Sequence, residues 1–225
     1  MTRYVVVSGE GFGVVCNATE LVPLLLETAY VPDLYVWELP EPASSGEWGE
    51  GYLKVLQDEP MDPYVDKAEW VQKCIGHVNP ILDLGAGIGR LQVLLEQQGY
   101  KTVGVEVNSV AMAHNPLSCI LFDGYKLPFP DDAFAAVVSM NVFEHLEYEH
   151  ACQMALECMR VAPRAFISLQ KMIGDDAQFV FDTDPTHKVA LSEDQWVGVF
   201  ESAGAVVESF DIGKPRVGSY RLTRR

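Results

Sequence analysis

The stretch Ile81-Leu82-Asp83-Leu84-Gly85-Ala86-Gly87-Ile88-Gly89-Arg90-Leu91 decides the architecture of this chain. Ile81, Leu82 and Leu84 make the short apolar run of a buried parallel strand. Gly85, Gly87 and Gly89 follow with no Cβ, which leaves a backbone that a ligand can approach closely. Leu91, Val93, Leu94 and Leu95 then supply the apolar side of a helix that stops at Gly99. A strand feeding a glycine-dense turn and then a helix is the opening of an α/β unit.

The dinucleotide fingerprint GxGxxG has its third glycine where this chain has Arg90, so the spacing argues against NAD. With Asp83 ahead of the glycines, the run resembles the first motif of the class I S-adenosylmethionine (SAM) dependent methyltransferases. A nearby carboxylate suits SAM, which brings an ammonium and a sulfonium and no pyrophosphate. On this resemblance Asp83, Gly85, Ala86, Gly87 and Gly89 are cofactor-binding residues.

Working outward, Asp62-Pro63 opens a helix on which Val65, Ala68, Val71, Ile75 and Val78 recur at helical spacing. KTVGVEVN, residues 101–108, alternates toward a strand ending at Glu106, about twenty residues beyond the glycines, where a carboxylate can accept from ribose hydroxyls. Val107 follows it into the cofactor site. Ser118 to Phe122 reads as a third strand, ending at Asp123-Gly124. In the methyltransferase class an Asp at that place accepts from the adenine amino group. LPFPDDAFAAV then resembles the acid-rich loop entering strand four, and Asn141-Val142 at the head of NVFEHL completes the implied cofactor contacts.

Glu149 to Val161 reads as a helix with Ala151, Met154, Ala155, Cys158 and Met159 inward, and Ala165 to Leu169 as the fifth strand. Phe181 to Leu191 reads as a loop, before a capping box of Ser192 and Gln195 on a helix through Trp196, Val199 and Phe200. Ala205 to Ile212 and Val217 to Thr223 close the sheet. The resemblance implies an α/β fold: a seven-stranded Rossmann-like sheet in the order 3-2-1-4-5-7-6, its last strand antiparallel, flanked by helices. The expected division is residues 56–225 as the SAM-binding domain and 1–55 as a small N-terminal appendage or lid. In that appendage Tyr4–Val7 and Phe12–Val15 suggest a hairpin, Thr19 a helix cap, Asp33–Leu39 a strand, and the Pro, Ser and Gly-rich Pro40–Gly51 a linker or mobile lid.

The chain has 225 residues and a formal net charge of −16, which repels a phosphate backbone and disfavours a nucleic-acid acceptor. Lys214, Arg216, Arg221, Arg224 and Arg225 crowd the tail, as a solvated final strand allows. Cys16, Cys74, Cys119, Cys152 and Cys158 contain no CxxC pair, so neither a disulfide framework nor a zinc knuckle is indicated. MTRYVVVSGEGFG lacks the pattern of a signal peptide and no apolar run is long enough to span a bilayer, so a cytoplasmic protein away from membranes is expected.

Methyl transfer from a sulfonium is an in-line displacement, in which the protein aligns the acceptor and excludes water. A base is needed where the acceptor loses a proton, and His187 and His145 are the candidate catalytic residues. Some members bind a divalent metal through Glu-x-x-Glu-His and a distal histidine; here Asn141 replaces the first glutamate, so no metal is expected. A small-molecule acceptor is the leading expectation, and a SAM-binding scaffold that regulates a partner protein is the alternative.

Overall fold

The computed structural model describes residues 3–7, 13–17, 35–39 and 62–225, with side chains from Tyr64 onward. The expected hairpin turn, the Thr19 helix and the Pro40–Gly51 lid lie outside the described residues. The chain divides into two compact units, one of residues 1–70 and 77–124, the other of 71–76 and 125–225.

In the first unit β1 (Arg3–Val7), β2 (Gly13–Asn17) and β3 (Tyr35–Leu39) form an antiparallel sheet in the order β2-β1-β3, with Val5 opposite both Val15 and Trp37. Helix α1 (Asp62–Ile75) straddles both units. Its Ala68, Val71 and Ile75 are buried as expected, but Val65, expected on the same stripe, is 44% exposed. Strands β4 (Ile81–Leu84), β5 (Thr102–Glu106) and β6 (Cys119–Leu121) run parallel, and every residue of β4 and β5 is buried, the polar Asp83, Thr102 and Glu106 included.

Between β4 and β5 lies α2 (Arg90–Gln97). Gly89 caps it with φ 83°, and a Cβ there would sit 2.3 Å from Asn115 Oδ1, so only glycine fits. The buried face of α2 holds Leu91 and Leu95, as expected, and also Gln92, a polar residue with no exposure. Gln92 is buried because its amide is satisfied. It donates to Thr102 Oγ1 and Ser118 O, both at 3.2 Å, and accepts from Asn115 Nδ2 at 2.7 Å. A short helix α3 (Ser109–Ala113), absent from the sequence expectation, is capped by the Asn108 side chain on Val110 N and Ala111 N.

The second unit starts with β7 (Ala136–Met140), a 3₁₀ turn (Phe143–His145) and α4 (Tyr148–Val161). All five residues expected inward on α4 are buried. The acid-rich loop is held to α4 by Arg160, which donates to Leu127 O at 3.0 Å and Phe129 O at 2.7 Å and pairs with Glu157 and Asp131. Strand β8 (Arg164–Gln170) lies parallel to β7 and is followed by α5 (Ala177–Thr183), α6 (Glu193–Ser202), β9 (Ala205–Ser209) and β10 (Val217–Arg224). The expected capping box of Ser192 and Gln195 opens α6.

Two expectations need correction. Residues 181–183, read as loop, belong to α5, which Asp176 caps through Phe179 N. Strand β9 ends at Ser209 and not Ile212, because Asp211 turns the chain by accepting from Gly213 N at 2.8 Å. Strand β10 is antiparallel to both β8 and β9, and the seven strands stand in the order β6-β5-β4-β7-β8-β10-β9, the 3-2-1-4-5-7-6 arrangement that the resemblance implies. The basic tail is charge-paired: Arg216 with Asp176, Arg221 with Glu208 and Arg224 with Asp132. Among the described residues, no helix is long and apolar enough to cross a membrane.

Candidate active site

In the first unit the candidate residues lie at or just beyond the carboxyl ends of β4, β5 and β6. Gly85 and Gly87 have φ of 76° and 53°, the left-handed conformations expected of the glycine turn. Beside them Asp83 is 2% exposed, and its Oδ2 has no hydrogen-bond partner among the described residues. Burial pushes the Asp83 carboxyl up to about 7, and the neighbouring Glu106 carboxylate adds to the rise against a smaller lowering by Lys67. A buried carboxylate oxygen with no donor, next to a second carboxylate, is a site that favours a cationic group. The ammonium of SAM meets that requirement.

Glu106 is bound more tightly by its own backbone than the sequence suggests. Its Oε2 accepts from Gly87 N at 2.8 Å, and its Oε1 from Val107 N at 2.8 Å and Asn108 N at 2.9 Å. Burial raises its pKa, and these three amides oppose the rise. The carboxylate thus links the glycine turn after β4 to the end of β5, and Oε2 retains a lone pair for a ribose hydroxyl. Asp123 is exposed and Gly124 buried with φ 85°; Ala86 is buried beneath the turn.

In the second unit Asn141 follows β7 with φ 55°, a left-handed conformation that a non-glycine residue seldom takes, and its N–H donates to Ser168 O at 2.8 Å. Val142 then leads into the 3₁₀ turn. Phe143 anchors that turn: it is fully buried and meets the Phe200 ring edge-on at 5.4 Å, a burial that contributes about 2–3 kcal/mol. Glu144 accepts from Gln170 N through Oε1 at 2.8 Å, and its backbone carbonyl accepts from Lys188 N at 2.9 Å. These bonds join the turn that carries His145 to β8 and to the loop that carries His187.

The two histidines meet there, with ring centroids 4.7 Å apart. His187 is 7% exposed, and its Nδ1 lies 2.8 Å from Val180 O. A carbonyl only accepts, so Nδ1 carries the proton and Nε2 keeps its lone pair. His145 Nδ1 lies 3.0 Å from Thr186 Oγ1. Burial pushes His145 below the ordinary imidazole value and His187 adds to this, while Asp184 and the Thr186 backbone pull the other way and Lys188 lowers it further. Burial also raises Asp184, but two hydrogen bonds from Thr186 and the charges of His145 and His187 outweigh it and leave the carboxyl below its usual range.

The structure therefore brings His145 and His187 together as candidates and adds Asp184 and Thr186, which sequence reasoning missed. Their signal was the Asp-x-Thr spacing of an Asx turn in Asp184-Pro185-Thr186-His187, which reads only as loop chemistry. His145, Asp184 and His187 each offer a ligand atom within 4.8 Å of the others, so this set, not Asn141 and Glu144, is the one able to hold a metal among the described residues.

Residues 82–164 match the methyltransferase domain family. Over these residues the chain is a methyltransferase domain, set in the class I methyltransferase fold. No curated protein matches it in sequence. Among solved structures, a SAM dependent methyltransferase from Archaeoglobus fulgidus superposes with TM-score 0.66 at 15% identity, over 77% of this chain and 100% of that one. The magnesium protoporphyrin IX methyltransferase of Synechocystis PCC 6803 with bound SAH gives TM-score 0.56 at 13% identity, over 73% and 83%. A methyltransferase from Haloferax volcanii, solved in complex with a methyltransferase activator, gives 0.60 at 15% identity, over 82% and 99%. At these identities the likeness is one of fold. The donor that the methyltransferase uses is SAM, and the orphaned Asp83 oxygen fits its cation.

Proposed function

We propose that this methyltransferase acts on a small-molecule acceptor that gives up a proton as it is methylated, as a hydroxyl does. The observation that carries the reading is the pair of imidazoles, His145 and His187, with ring centroids 4.7 Å apart and the Nδ1 of each within hydrogen-bond distance of a partner. A methyl transfer needs no nucleophilic side chain, so a histidine pair held this way is suited to proton handling. His187 and His145 are the proposed catalytic residues. Asp83, Gly85, Ala86, Gly87, Gly89, Glu106, Val107, Asp123, Gly124, Asn141 and Val142 are the proposed cofactor-binding residues.

When bound, SAM supplies the methyl group on a positively charged sulfur. Asp83 offers a carboxylate to its ammonium, and Glu106 offers Oε2 to the ribose. The net charge of −16 supports a small acceptor over a nucleic acid. Cys74, Cys119, Cys152 and Cys158 are free thiols, which supports a reducing cytoplasmic location. Residues 1–55 are proposed as a separate appendage to a domain of residues 56–225, a division supported by β1–β3 forming their own sheet.

The test is incubation with methyl-labelled SAM and metabolite extract, followed by isolation of the labelled product. A labelled small molecule whose formation slows at acid pH supports the reading. SAM binding with no transfer to any small molecule sinks it, and returns the protein to the scaffold alternative.

A further inference from the structure

Thr186 sits at the junction of a chain of polar contacts that ends on His145. Its Oγ1 lies 2.6 Å from Asp184 Oδ1 and 3.0 Å from His145 Nδ1, and its backbone N donates to the same Asp184 oxygen at 2.8 Å. A hydroxyl has one proton to give, and an ionised carboxylate can only accept. The Thr186 proton therefore goes to Asp184, and the Thr186 lone pair faces His145. Nδ1 of His145 must then be the donor, and the basic nitrogen is Nε2.

We propose that Asp184 and Thr186 are positioning residues that hold His145 in the Nδ1–H tautomer, so that Nε2 takes the proton of the acceptor. The proposal rests on the reading of the histidine pair as proton-handling groups. Two backbone bonds hold its geometry: His187 N donates to Asp184 O at 3.1 Å, closing the loop on itself, and Lys188 N donates to Glu144 O at 2.9 Å, tying the loop to the turn that carries His145. Among the described residues, the titratable groups facing His145 are His187, Asp184 and Lys188, and of these Asp184 is the anion. In the step, the O–H bond of the acceptor breaks and its proton passes to Nε2. The acceptor oxygen bonds to the methyl carbon as the carbon–sulfur bond breaks, leaving its electron pair on sulfur. The imidazolium so formed keeps its Nδ1–H on Thr186, with the charge of Asp184 one hydrogen bond beyond.

A turn-closing role for Asp184 and Thr186 makes different demands from a relay. Nitrogen-15 NMR of the free enzyme reads the tautomer of His145 with no acceptor present. Wild type and Thr186→Ser should show Nδ1 protonated and Nε2 bare, whereas Thr186→Val and Asp184→Asn should show mixed tautomers and a lower His145 pKa. With an acceptor in hand, the acid limb of kcat/KM should move to lower pH in Thr186→Val and kcat should fall about 10- to 100-fold, with SAM affinity unchanged and Thr186→Ser near wild type. If a folded Thr186→Val keeps the wild-type tautomer and pH profile, the relay is wrong and the two residues only close the turn. If added zinc binds stoichiometrically and occupies the Nε2 atoms in the active enzyme, those atoms are ligands and the proposal is overturned. Mixed tautomers in the wild type alongside methyl transfer sink the relay alone, while the expected tautomer with no methyl transfer sinks the functional reading and the proposal with it.

Discussion

Replacing Asp83 by Asn tests the cofactor site and the fold in one experiment. Asp83 is almost fully buried beside Glu106, and its carboxyl rises from an ordinary 3.8 to about 7. A rise means that the folded protein holds the proton over a range in which the unfolded chain has lost it. The contribution of Asp83 to stability is therefore full below about pH 4, declines as pH climbs through the interval to about 7, and is level above that. At 1.36 kcal/mol per pH unit this loss has a ceiling of about 4 kcal/mol, and relaxation around the pair brings the working range to about 2–4 kcal/mol. Asn cannot ionise, and its own packing cost does not vary with pH. The stability difference between Asp83→Asn and wild type should then shift toward the variant by that amount between pH 4 and pH 8, as read by urea unfolding. Because only the difference between two chains is used, carboxylates distant from Asp83 cancel, whereas Glu106, coupled to it, titrates with it as a pair. Calorimetry with SAM should show the reverse: tighter binding to wild type at pH 8 than at pH 6, proton release on binding, and a loss of about 2–3 kcal/mol in the variant. A stability difference that is flat with pH refutes the buried, raised carboxyl, and equal SAM affinity refutes its role as the cation's partner.

Glu106→Ala should weaken SAM binding by about 1.5–3 kcal/mol by calorimetry and also lower the unfolding midpoint, since the amides of Gly87, Val107 and Asn108 lose their acceptor; unchanged affinity would remove Glu106 from the ribose. His187→Ala should lower kcat by about 10² to 10⁴ with SAM affinity intact, and a chelator should leave wild-type turnover unchanged. Normal turnover in that variant would reduce His187 to a loop-ordering residue. Gly89→Ala should destabilise by about 2 kcal/mol or more, because its φ of 83° and the contact with Asn115 both reject a Cβ, and a thermal midpoint equal to wild type would count against that geometry.

How much of this was legible in the sequence follows from whether the cause is local. The β4–turn–α2 unit was readable because each part of its signal lies within fifteen residues, Ile81 to Leu95: the apolar strand, the glycines and the helix face. The inward residues of α4 were readable because their periodicity survives burial intact. Helix α5 was missed because Val180 is its only buried residue, while Phe179 and Phe181 are exposed and so imitate alternation or loop. Gln92 was missed as a core residue because its burial depends on Thr102, Asn115 and Ser118, which are brought to it by β5 and the segment before β6.

The same distinction divides the active site. Asp83, Glu106 and the glycines could be named as candidates from the sequence because the family resemblance is carried by their spacing, and the structure adds what the backbone does to them: three amides on Glu106 and, among the described residues, no donor on Asp83 Oδ2. His145 and His187 could be named as chemistry-bearing residues, yet nothing local says which nitrogen of either ring is basic. For His187 the answer comes from a carbonyl seven residues earlier, and for His145 from a threonine 41 residues later. Tautomer is a property of the fold, and on the proposed reading it gives two neighbouring histidines a defined direction of proton flow.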